Sequence, residues 1–72
     1  MSYNTKIAGV PATVRHNTRP EETVLSFKNS DDMHKVERSL KEAGIAYTVK
    51  TWKGQRLNEI RTPATAEEIK AI

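Results

Sequence analysis

The sequence predicts a small α+β domain. The expected fold is an antiparallel or mixed β-sheet with one main helix packed on one face, in the order β-β-β-α-β-β, with a short C-terminal helix. Three observations carry this. A capped amphipathic segment occupies the middle of the chain, runs rich in β-branched and aromatic residues flank it, and a Lys53-Gly54 pair separates two strand-like runs after it.

The helix has the clearest signals. Asn29 and Ser30 are good N-cap residues, and Asp31 and Asp32 put negative charge where the helix dipole is positive. Met33, Val36, Leu40 and Ala43 recur at spacings of three and four, which predicts one apolar face. Glu37 and Lys41 stand in the favourable i,i+4 order. Gly44 can take positive φ, so the helix is expected from about Asp31 to Ala43.

Before it, Thr23 to Lys28 reads as a strand with Leu25 and Phe27 on one face and Val24, Ser26 and Lys28 on the other. After it, Ile45 to Trp52 and Gln55 to Thr62 read as a hairpin. A two-residue turn would oppose Trp52 to Gln55, Lys50 to Leu57 and Tyr47 to Ile60. Ile45, Tyr47, Val49 and Ile60 then share a core face. Thr48, Lys50, Trp52, Leu57, Glu59 and Arg61 share the other.

The N-terminal third carries weaker signals. Met1 to Thr5 reads as a frayed start, and Lys6 to Val10 as a short strand interrupted at Gly9-Val10-Pro11, where Pro11 lacks a ladder donor. Ala12 to His16 reads as a second strand that makes a hairpin with the first, with Arg15 to Pro20 a polar, basic connector. At the other end, Thr65 with Glu68 three residues on matches a capping box, opening a short helix over Ala66 to Ile72. The β-α-β unit should be right-handed. With the last strand between the two that flank the helix, the arrangement is, by architectural analogy only, half of a ferredoxin-like fold.

With 72 residues the chain is expected to form one domain, residues 1–72, with a thin core. The expected core is Ile7, Val14, Leu25, Phe27, Met33, Val36, Leu40, Ile45, Tyr47, Val49, Ile60 and Ile69. There is no cysteine, which removes disulfides, thiol catalysis and cysteine-zinc sites and fits a cytoplasmic protein. No apolar run is long enough for a membrane span, and Met1 to Lys6 lacks signal-peptide architecture. The net charge is +3, with Lys and Arg interspersed among the acids along the chain.

No catalytic, cofactor or metal constellation emerges, and a non-enzymatic protein is expected. The only histidines, His16 and His34, match no metal-ligand spacing. Asp31-Asp32 and Glu67-Glu68 are explained by the helix dipole. The serines Ser26, Ser30 and Ser39 have no neighbouring base, and Gly9, Gly44 and Gly54 form no phosphate loop. The expectation is a binding or regulatory module that attaches to a larger protein through the hairpin face around Trp52. Leu57 would extend the apolar centre, and Lys50, Lys53, Arg56 and Arg61 would supply charge. The alternative is nucleic-acid binding by Lys50, Trp52, Lys53, Arg56 and Arg61, with Arg15 and Arg19 available from the loop, Trp52 stacking on a base while the cations meet phosphates. A homodimer is compatible with both.

Overall fold

The structure is a computed structural model and describes residues 2–52 and 57–72, with the side chains of residues 52 and 57 outside the description. Its elements run β1 (Ser2–Ile7), β2 (Val10–Thr18), β3 (Glu21–Phe27), α1 (Ser30–Glu42), β4 (Thr48–Trp52), β5 (Leu57–Thr62) and α2 (Ala66–Lys70). The strands form one antiparallel sheet in the order β1-β2-β3-β5-β4. The last strand does lie between the two that flank the main helix.

The helix matches its sequence signals to within a residue. Asn29 caps it, its side chain accepting from the Asp32 amide at 2.8 Å. At the other end the Gly44 amide donates to the Lys41 carbonyl and the Ile45 amide to the Leu40 carbonyl, with Gly44 at φ +74°. This is a Schellman motif, and only the left-handed conformation at Gly44 closes it. Met33, Val36 and Leu40 are buried, as expected, but Ala43 is exposed. Ala43 is the C-cap residue, and the turn it opens brings Ile45 back against the core instead.

The N-terminal third is more regular than its composition suggests. The frayed start is instead strand β1, and the expected break at Gly9-Val10-Pro11 is a tight reversal at Ala8-Gly9. Both turn residues have positive φ, +51° and +78°, which is type I′ geometry. Ile7 pairs with Val10 and Lys6 with Pro11. The two-residue turn makes Ile7–Val10 the hydrogen-bonded pair, so position 11 directs its nitrogen away from β1. The β2–β3 ladder begins only at Thr13, so no ladder bond is lost to proline there. The basic connector is also strand: β2 runs to Thr18 and turns into β3 at Arg19-Pro20, whose peptide bond is cis.

The β4–β5 ladder differs from expectation in register. It pairs Thr48 with Arg61, Val49 with Ile60, Lys50 with Glu59 and Trp52 with Leu57. The expected pairing is displaced by two residues, a whole side-chain period, so the described side chains keep their faces. Strand β4 also begins later than expected, at Thr48. Ile45, Tyr47 and Val49 are half-buried against the core rather than inside it.

Both helices pack on one side of the sheet. There Ile7, Val10, Ala12, Val14, Leu25, Phe27, Met33, Val36, Leu40, Ile60 and Ile69 form the buried apolar cluster. Two buried threonines tie loops to it. Thr62 donates to the Ala46 carbonyl at 2.6 Å, holding the segment before β4, and accepts from the Ala64 amide. Thr23 donates to the Ala64 carbonyl at 2.8 Å and fixes the approach to α2. Thr65 then caps α2 by accepting from the Glu68 amide at 3.2 Å. Among the described residues no helix is long and apolar enough to cross a membrane.

Candidate functional site: the open sheet face

The helices cover one face of the sheet and leave the other open across all five strands. The ladders fix which residues share it. One row reads Ser2, Arg15, Val24, Arg61, Thr48; the next reads Asn4, Thr13, Ser26, Glu59, Lys50. Directly opposed residues in antiparallel ladders point to the same side, and the alternate rows belong to the core.

At the centre of this face is a built polar cluster. Arg61 Nε donates to Glu59 Oε1 at 2.7 Å, and Arg61 Nη1 donates to Glu22 Oε1 at 3.1 Å. Asn17 adds a 3.4 Å bond to the same Glu22 oxygen. The Glu59 side chain is only 6% exposed. Its two carboxylate neighbours hold the Arg61 guanidinium even above its usual high pKa, the hydrogen bond to Glu59 being the main cause. Val24 lies beside this cluster, on the solvent side of the sheet, yet is fully buried. Its cross-strand neighbours are Arg15 and Arg61, whose long stems keep water from the methyl groups.

The candidate residues read from the sequence divide accordingly. Lys50 is exposed on this face, across from Glu59. Arg61 is there too, but tied to two carboxylates rather than free. Trp52 and Leu57 occupy the last paired position of the β4–β5 ladder, their side chains outside the described ones. Lys53 and Arg56 lie outside the described residues. Arg15, expected on a loop, is exposed here on strand β2, and Lys6, a strand residue given no role in the sequence, is exposed on the neighbouring β1.

Charge is sorted between the two sides of the molecule. Among the described residues the open face holds Lys6, Arg15, Lys50 and Arg61 against Glu22 and Glu59. The helices hold Asp31, Asp32, Glu37, Glu42, Glu67 and Glu68 against Lys35, Arg38, Lys41 and Lys70. At the β1–β3 end the face dips into a shallow depression of about 340 Å³, lined by Asn4, Pro11, Thr13, Ser26 and Lys28 among others. The Thr13 hydroxyl donates to Asn4 Oδ1 at 2.9 Å within it.

The remaining candidates stay apart. His16 is on β2 and His34 on α1, where His34 Nδ1 lies 2.9 Å from Glu37 Oε1. Among the described residues no group of three or more His, Asp or Glu side chains could hold a metal ion. The acidic pairs sit in the first turns of α1 and α2. No family model matches this chain, and neither curated proteins nor solved structures supply a match.

Proposed function

We propose that this chain is a non-enzymatic binding module that attaches to a larger partner through the uncovered face of its sheet. The observation that supports this reading is the sorting of charge. An antiparallel sheet with one face in water needs no partner. A face with an excess of cations, opposite helices with an excess of acids, gives the molecule a preferred side for an anionic surface.

The hairpin end, with Lys50, Trp52, Lys53, Arg56 and Leu57, belongs to the same proposal. Its composition is that of an interface hot spot, with an aromatic and a leucine rimmed by cations. Arg61 takes a different role here, organising Glu22 and Glu59 rather than meeting the partner itself.

The test is retention of partners from a cell extract on the immobilised protein. Arg15→Glu with Lys50→Glu should abolish retention, while Lys35→Glu with Lys41→Glu on the helix side leaves it intact. Equal retention by both variants removes the open face from the reading. Trp52→Ala should weaken retention without changing the thermal midpoint; if it unfolds the domain, Trp52 is a structural residue.

A further inference from the structure

We infer that the partner of the open face is single-stranded nucleic acid, held through its phosphates from the Pro11 depression across the sheet to Lys50. The inference rests on the binding-module reading above and names its ligand.

The cations that can meet phosphates are those not already occupied. Arg61 is excluded by its two carboxylates. Lys6, Arg15, Lys28 and Lys50 make no ion pair among the described residues, and all four are exposed. They are also distributed rather than clustered: on β1, on β2, just beyond the end of β3 and on β4. Four inter-strand steps of roughly 4.8 Å make the sheet about 19 Å wide, enough to follow several nucleotides of an extended strand. A compact anion would need convergent cations instead.

Shape selects a single strand over a duplex. Base-specific reading of duplex DNA needs an element that enters a groove, whereas a single strand presents phosphates and unpaired bases together to an open surface. Both helices lie on the far side of this sheet, and no described element rises from the open face. An uncovered sheet face suits splayed nucleotides whose backbone lies across it. The depression offers one base a place, with the Pro11 ring as an apolar surface and the side chains of Asn4, Thr13 and Ser26 as hydrogen-bonding groups. Its volume, about 340 Å³, suits a small flat ring system and not a helix. The cations of the described face contact phosphates rather than base edges, so their contribution tolerates sequence. Among the described side chains the face gives a protein partner no exposed apolar centre, since Val24, the large aliphatic one, is fully buried.

Fluorescence anisotropy with a labelled, mixed-sequence oligonucleotide of roughly 12 nucleotides tests this. Binding should weaken with salt, log K falling against log salt with a slope near about −3 for four phosphate contacts at roughly −0.7 each. Arg15→Gln and Lys50→Gln should each reduce that slope by about 0.7 and weaken binding several-fold, while Lys35→Gln leaves both unchanged. A duplex of the same sequence should bind more weakly. No binding at low salt, equal affinity for duplex, or indifference to the Arg15 and Lys50 variants overturns the inference. If the oligonucleotide fails while the sheet-face variants still lose a nuclease-resistant protein from extract, this inference falls and the binding-module reading stands. If both fail, both fall.

Discussion

Arg61 shows how much of this surface depends on one side chain. It neutralises a nearly buried Glu59 and holds Glu22, 39 residues away in the chain. Removing it leaves Glu59 without its ion-pair partner in a site that water barely reaches. Arg61→Ala should therefore destabilise the fold by about 1–3 kcal/mol, the lower end reflecting the partial exposure of the arginine. Glu59→Gln keeps an acceptor for the Arg61 Nε–H and should cost less, about 1 kcal/mol. Urea denaturation measures both, and a neutral Arg61→Ala would show the cluster to be a solvated pair only. None of this could be read from the sequence, where Arg61 looks like one more free cation on a hairpin. Its partners become visible only once β3 and β5 are neighbours. Tyr47 presents a second residue-level case. Burial pushes its pKa above the usual 10.0, and the nearby negative charge of Glu37 adds to the effect. The protonated phenol is the form the fold favours, so its contribution is complete below pH 10 and is lost as pH rises through the raised folded value. Spectroscopic titration should find Tyr47 ionising above its usual value, and Glu37→Gln should lower it.

At the scale of elements, what was legible followed from local chemistry. The caps at Asn29, Gly44 and Thr65 satisfy backbone groups within a few residues of themselves, so their signals survive without knowledge of the fold. The β4–β5 faces were legible for another reason. The actual register differs by two residues, and a period-two pattern is blind to that displacement. The β1–β2 hairpin was legible but its turn was not, because the first turn residue is Ala8, which a type I′ turn holds at φ +51°. An alanine there gives no turn signal and pays for a left-handed backbone. Asparagine tolerates this conformation and forms the preferred pair with the following glycine. Ala8→Asn should stabilise the protein by about 0.5–1 kcal/mol. The denaturation midpoint should rise with an unchanged slope; a fall would mean that the turn is not I′.

At the scale of the whole molecule, the order β1-β2-β3-β5-β4 places β3 and β5 inside the sheet and β1 and β4 at its edges. That order was legible where a β-α-β unit ends in a hairpin. The sorting of charge was not, because acids and bases alternate along the chain and separate only when strands and helices take opposite sides. The topology also predicts a gradient of local stability. Backbone amides of β3 and β5 are paired on both flanks and lie next to the apolar cluster, whereas the alternate amides of an edge strand face outward. Native-state hydrogen exchange should find the slowest amides around Leu25 and Ile60, exchanging with the free energy of global unfolding. The outward-facing amides of β1 should exchange fast by comparison. This gradient also tests self-association. If the outward amides of β1 are instead as protected as those of β3, something covers that edge. Protection that disappears on dilution identifies the cover as a second copy of the chain, joined strand to strand. The open sheet face would then continue across two molecules rather than end at β1, and the salt dependence of oligonucleotide binding would steepen with protein concentration.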